Sequence, residues 1–174
     1  MTSAVVSLSE HSRIRMVRSF GLVGQPCSPT HNEITMLACD LAECQTSLVS
    51  LVDVDRNWFS GRENFEAVDQ CRATSFCTHV VAQDGGSLWI SDARQDPQFA
   101  ENPLVTGAPH IRFYAGSPII VLGEIVGAFC VFDPFPRAHD PLLAARLHRL
   151  ARIVATDLTT LHRYRTVPRV EATS

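Results

Sequence analysis

The clearest pattern in the chain is near its end. Leu143, Leu147, Leu150, Val154, Leu158 and Leu161 step by three and four, with Ile153 alongside, the spacing of one apolar helix face. Asp140 and Pro141 just before it suit an N-cap and a first-turn proline, so a helix is predicted from there to about Tyr164. An earlier stripe of Ile34, Leu37, Ala38, Leu41 and Ala42 predicts a helix from near Thr30 with all five residues facing a core. Thr30-His31-Asn32-Glu33 reads as its capping box, with Pro29 ahead. Between the two helices the period changes to two. Leu48, Ser50 and Val52 alternate with Val49 and Leu51, Asp53 to Asn57 is turn-rich, and Trp58-Phe59-Ser60 resumes the strand, giving a hairpin over 47–60. Ala115 to Leu122 and Ile125 to Phe132 form a second hairpin, with Gly123-Glu124 as a type II′ turn.

The intervening residues are less regular. Residues 61–74 are polar and read as loop. Ser75 to Gln83 is predicted as a short helix capped by Thr74 or Ser75 and ended by Gly85-Gly86. Leu88-Trp89-Ile90 is a strand. Asp92 to Ile111 contains three prolines and little pattern beyond a helical turn at 97–101; so long an irregular connection in a compact domain is often functional. Residues 1–27 show one or two amphipathic turns at Met16, Val17, Phe20 and Leu22, then Gly21, Gly24 and Pro26, and are read as an arm. Consecutive hairpins between terminal helices imply an α/β (α+β) domain, its antiparallel sheet covered by those helices on one face.

Composition narrows the function. The chain has 174 residues, 45% of them hydrophobic and 19% charged, with a formal net charge of -3. That size fits one domain, and the balance gives no electrostatic reason to expect nucleic acid. Arg146, Arg149, Arg152, Arg163, Arg165 and Arg169 read as a solvated helix face. No apolar run reaches the roughly 18 residues of a membrane span, and Glu10 and His11 interrupt any signal peptide. A cytoplasmic protein with no membrane partner is expected. The six cysteines, at 27, 39, 44, 71, 77 and 130, form no CxxC pair and no metal-ligand spacing, so they are read as reduced thiols and no metal site is expected.

Ten short motifs in order then carry a resemblance. They are Val49-Ser50-Leu51-Val52-Asp53, Asp55-Arg56, Trp58-Phe59, Ser75-Phe76-Cys77-x-His79, Asp92, Asp96-Pro97-x-Phe99, Asn102-Pro103-Leu104-Val105, Ile111-Arg112-Phe113-Tyr114-Ala115-Gly116, Cys130-Val131 and Pro136-Arg137. Over about residues 28–162 the chain resembles a bacterial subgroup of GAF domains, sensory modules usually found upstream of histidine kinases, diguanylate cyclases or phosphodiesterases. The departures are Gln98, where Arg is common, a shorter turn at Gly123, and no accompanying effector sequence. The resemblance implies an arm at 1–27, a GAF domain at 28–164 and a tail at 165–174. It also implies a five- or six-stranded antiparallel sheet, with the terminal helices on one face. On the other face, short helices and a long loop (75–83 and 92–114) would roof a pocket.

Within that implied pocket the candidate ligand-binding residues are Trp58, Phe76, Cys77, His79, Asp92, Phe99, Arg112, Tyr114 and Cys130. Arg112, set between apolar neighbours, suits bidentate contact with a carboxylate or phosphate; a salt bridge to Asp92 or Asp96 that ties the long loop to the sheet is the favoured reading, and the two roles can coexist. Cys77 and His79 lie two apart on a helix, diverging by roughly 200°, so they do not make a nucleophile–base pair. His79 reads as a structural histidine rather than a haem or metal ligand. The absence of a Cys-His dipeptide argues against a covalent bilin of the phytochrome type; the cofactor, if any, is unknown. No catalytic residue is expected. The resulting expectation is a stand-alone module that binds a small molecule and signals through its terminal helices as a homodimer, to a separate histidine kinase or cyclic-di-nucleotide enzyme. The leucine stripe of 143–161 suits either the dimer interface or the core. Two other readings remain: a thiol enzyme resembling free methionine-R-sulfoxide reductase, for which Cys71 and Cys77 are the nearest redox pair, and a ligand-free dimerisation scaffold.

Overall fold

The computed structural model describes residues 2–167, with side chains from residue 9 onward. Residues 168–174, with Arg169 and most of the expected tail, lie outside the described residues. Six strands, β1 (Thr46–Val52), β2 (Arg56–Glu63), β3 (Asp69–Cys71), β4 (Leu88–Ile90), β5 (Phe113–Val121) and β6 (Glu124–Asp133), form one sheet in the order β3-β2-β1-β6-β5-β4. Every neighbouring pair is antiparallel. β1 sits near the middle and all its residues are buried, because the sheet is covered on both faces.

Three helices cover one face: α1 (Thr2–Ser19), α2 (Pro29–Ala42) and α5 (Pro141–Thr166). Val17, Phe20, Ala38, Leu150, Val154 and Leu158 pack there on Val49, Leu51, Ile119, Phe129 and Val131. The second face is covered by shorter pieces, α3 (Phe76–Ala82), α4 (Pro103–Thr106) and the irregular chain around α4. Phe76, Cys77, Val80, Phe99, Val105 and Ile111 pack there on Leu48, Val52, Tyr114, Cys130 and Phe132. The sheet therefore has a separate apolar core on each face.

Several expectations change. The N-terminal arm, expected to be partly helical, is helical over Thr2–Ser19, and Val17 and the following Phe20 are fully buried, so the arm is part of the domain's core. Arg18 pairs with the buried Asp53 at 3.1 Å, fixing the helix to the end of β1. The cap of α2 is Ser28, whose hydroxyl accepts from the His31 amide, with Pro29 in the first turn. The reason is that Pro29 holds its predecessor extended and suits a first helical position. Along α2, Leu37 and Leu41 are 47% and 38% exposed, while His31 and Thr35 are buried in their place. Glycine at 61 permits this close approach: a Cβ there would fall 2.6 Å from that of His31. Residues 61–74 are not all loop, since β3 pairs with β2 at the sheet edge. The second hairpin turns at Leu122 and Gly123, both at positive φ, which makes the turn type I′ rather than II′. The leucine stripe of α5 is occupied by the domain's own core: Leu143, Leu147, Leu150, Val154 and Leu158 are buried.

Candidate functional site

The second core is where the candidate residues meet. Ser75 caps α3, its hydroxyl accepting from the Cys77 amide at 3.2 Å. This sets Phe76 and Cys77 against the sheet. Phe76 stacks on Phe99 at 4.5 Å between centroids and tilts against Tyr114 at 5.1 Å. The His79 ring meets the edge of Phe99 at 4.8 Å. Cys130 and Tyr114, on neighbouring strands, point to the same face. The Tyr114 hydroxyl donates to the Cys77 sulfur at 3.3 Å, and the sulfurs of Cys77 and Cys130 are 3.8 Å apart. Gly116 makes room for this arrangement, because a Cβ there would lie 2.5 Å from the Tyr114 hydroxyl.

Of these groups Phe76, Cys77, Tyr114 and Cys130 line a small cavity of about 20 Å³, together with Gln70, Ser75 and Phe132, while Phe99 and His79 stand behind it. That is room for about one water molecule. Its wall holds an unmatched donor, the buried amide nitrogen of Gln70 on β3, which has no partner. Close by, Asn57 donates to Ser75, yet the Asn57 carbonyl oxygen is also buried without a partner. Buried polar atoms of this kind are rare enough to need an explanation, because each forfeits its hydration. Hydrogen bonding with Cys130, helped by Tyr114, Ser50 and Ser75, lowers the Cys77 thiol to about 7 against the opposing effect of burial. The same contact with Cys77, together with burial, pushes Cys130 up. Burial pushes the Tyr114 phenol well up.

Other candidates stand outside the cavity wall. Arg112 ties the loop to the sheet as anticipated, but through backbone: its guanidinium donates to the carbonyls of Val105 at 2.8 Å and Ile111 at 3.1 Å. The carboxylate of Asp92 instead takes Arg94, at 2.6 and 3.0 Å, and that hydrogen bonding lowers its pKa. His79 Nδ1 lies 3.0 Å from the side-chain amide of Gln98, and burial lowers its pKa. Trp58 is not brought to the pocket. It pairs across the sheet with Leu51, a residue of the helix-covered core. Cys71 is exposed; the thiol beside Cys77 belongs to Cys130.

Sequence reasoning missed the roles of Gln70 and Asn57, which carry no pattern of their own in a polar stretch. It also missed a Ser60–His31–Asp157 chain, with Ser60 Oγ 2.9 Å from His31 Nδ1 and His31 Nε2 3.1 Å from Asp157 Oδ2. Its order resembles a nucleophile relay. Ser60 and His31 are fully enclosed on the helix-covered face, so the chain serves to join β2, α2 and α5.

Comparison with known proteins places this geometry. The family model of the GAF domain matches residues 30–158. A cyclic di-GMP phosphodiesterase of Pseudomonas aeruginosa is 35% identical over 156 residues, which is 87% of this chain and 26% of that protein. The chain thus spans about a quarter of the length of that relative. The GAF domain of a phosphoenolpyruvate-protein phosphotransferase from Coxiella burnetii has the same fold, with a TM-score of 0.67 at 12% identity over 91% of this chain and 99% of that one. So does a free methionine-R-sulfoxide reductase from Neisseria meningitidis, solved with its substrate, with a TM-score of 0.62 at 15% identity over 77% and 78%.

Proposed function

Because this chain belongs to the GAF domain family, whose members are sensory and regulatory modules, we propose that it binds a small molecule beneath α3 and reports the bound state through α1 and α5. The observation that carries this reading is a pair of unpartnered polar atoms, Gln70 Nε2 on the wall of the cavity of Cys77, Tyr114 and Cys130, and Asn57 Oδ1 on the side chain that bonds the wall residue Ser75. They offer one donor and one acceptor oxygen beside aromatic walls, which suits a compact ligand with an apolar body and a polar head. A cavity of about 20 Å³ does not hold such a ligand. Binding therefore selects a conformation in which α3 and the 92–112 segment have lifted from the sheet.

The module regulates rather than catalyses in this reading. The Cys71–Cys77 pair of the enzyme alternative is not favoured, since Cys71 is exposed and Cys77 lies against Cys130. The effector, on another segment or another chain, is of the cyclic-di-nucleotide or histidine-kinase class; the Pseudomonas aeruginosa relative favours the former. The homodimer expected from the sequence needs a surface other than the leucine stripe. The outer face of α2, where Met36, Leu37 and Leu41 are exposed, takes that place for a second copy.

Native mass spectrometry of freshly purified protein, beside a denatured control, tests both parts. A dimer with extra mass that vanishes on denaturation is expected. A bare monomer rejects the reading. Replacing Leu37 and Leu41 by Glu is expected to give a monomer that keeps the bound mass; an unchanged dimer places the interface elsewhere.

A further inference from the structure

Two buried thiols from distant parts of the chain meet in the second core. Cys77 comes from α3 and Cys130 from β6, and their sulfurs are 3.8 Å apart. Both line the small cavity beside the Tyr114 hydroxyl. The other cysteines are placed differently. Cys71 is exposed, Cys27 donates to the carbonyl of Phe59, and Cys39 and Cys44 lie together at the end of α2, where their mutual hydrogen bond pushes Cys39 up.

The geometry points to Cys77 and Cys130 as a reversible dithiol–disulfide site, oxidised by small hydroperoxides that reach the cavity. A disulfide requires the sulfurs to close to about 2.05 Å, and no third side chain lies between them, since they already share a hydrogen bond. Cys77 is the attacking group, its proton being the less tightly held of the two, and attack requires the thiolate. Its sulfur takes the terminal oxygen of the hydroperoxide; the O–O bond breaks, an alcohol or water leaves, and Cys77 becomes a sulfenic acid. The Cys130 sulfur then attacks the Cys77 sulfur. The S–S bond forms, the S–O bond breaks, and the hydroxyl departs as water with the Cys130 proton. Two electrons pass from the thiol pair to the hydroperoxide, and an external thiol reverses the change by exchange. The product joins α3 covalently to β6, so oxidation holds the roof closed over the cavity. This site stands on the two thiols and does not depend on whether a small-molecule ligand binds.

The full chain, reduced and then exposed to a few-fold excess of hydrogen peroxide, tests it. Remaining thiols are alkylated after unfolding and the peptides are mapped. The expected product is lighter by two hydrogens, contains a peptide cross-linked through Cys77 and Cys130, and has lost two alkylation sites that return on treatment with dithiothreitol. In Cys130→Ser, Cys77 is expected to stop at the sulfenic acid and to be trapped by dimedone. If that variant does not fold, the wild-type map decides alone. The proposal is overturned if Cys77 and Cys130 stay fully alkylatable once the exposed Cys71 has been oxidised, or if the bond formed joins Cys39 to Cys44. Native mass spectra of the same sample record any bound mass, so failure of the ligand reading and failure of the thiol site are read separately.

Discussion

The buried Asp133, at the end of β6, and the half-buried Arg137, four residues on, form a clamp between the sheet and α2. The Asp133 carboxylate accepts from the Gln45 amide at 2.9 Å and from the Arg137 guanidinium. Arg137 also donates to the carbonyls of Ala42 and Glu43, at the end of α2, and lies 5.3 Å over the Phe113 ring. Carbonyls that a helix leaves unpaired at its C-terminus are thus satisfied by a side chain from the segment that follows β6. Replacing Arg137 by Ala leaves the buried Asp133 carboxylate with only the Gln45 amide and removes the partner of the Ala42 carbonyl. We expect a loss of about 2–4 kcal/mol in chemical denaturation. Asp133→Asn/Arg137→Ala should lose less than the sum of the single changes; strict additivity would show that the two residues do not act together.

Gly116 tests the packing of the candidate site. Its absent side chain is the space taken by Tyr114. Gly116→Ala is expected to cost about 1–3 kcal/mol by overpacking. Adding Tyr114→Phe, which removes the nearest atom, should recover part of that loss. A Gly116→Ala protein as stable as the parent contradicts the placement of Tyr114.

Much of the fold is legible in the sequence wherever a period is sustained. The stripe of α5, the alternation of β1 and the apolar run of β6 each specify both an element and its buried face. The expected short helix after Ser75 and the strand at Leu88–Ile90 are also found. What escapes is set by tertiary partners. Asp69-Gln70-Cys71 is a strand only because β2 offers it an edge. Leu37 and Leu41 fit an apolar stripe, yet the contact of α2 with the sheet at Gly61 turns His31 and Thr35 inward in their place. The site is legible to the same degree. Phe76, Cys77, Phe99, Tyr114 and Cys130 meet, because motif order and strand alternation carry them to one face. Trp58 goes to the other face because its register with Leu51 cannot be read without the pairing.

Glu10 gives a prediction at low pH. Its carboxylate accepts from Arg13 at 2.8 Å and Arg72 at 2.6 Å, and these partners, Arg13 foremost, hold its pKa down at about 2 instead of 4.5. The folded state therefore binds fewer protons than the unfolded chain between those values. The stabilisation is complete above about pH 4.5 and is lost as pH falls towards 2. Because Glu10 is about one-third exposed, screening reduces its worth to about 1 kcal/mol. Stability measured against pH should show wild type and Glu10→Gln converging on acidification. Parallel curves would remove Glu10 from the docking of α1.

His31 gives the corresponding prediction nearer neutrality. Burial lowers its pKa below 6.5 despite the nearby Asp157, so the enclosed imidazole is neutral when folded. That contribution is present above the ordinary histidine pKa and is lost as pH falls below it. The stability of wild type is expected to fall between pH 7 and 5 more steeply than that of His31→Gln. An equal slope in urea unfolding over that range would assign the acid sensitivity to other groups.

The central claim is that the roof of the second core opens while the sheet and its three long helices hold, admitting a small molecule to Gln70, Cys77 and Tyr114. Native-state amide hydrogen exchange, resolved by residue, tests it directly. We predict that α3 and residues 103–112 exchange through local openings, at rates well above those of β1, β6 and the centre of α5. If α3 exchanges only with global unfolding, as slowly as β1, the roof does not open and the account of ligand binding is wrong.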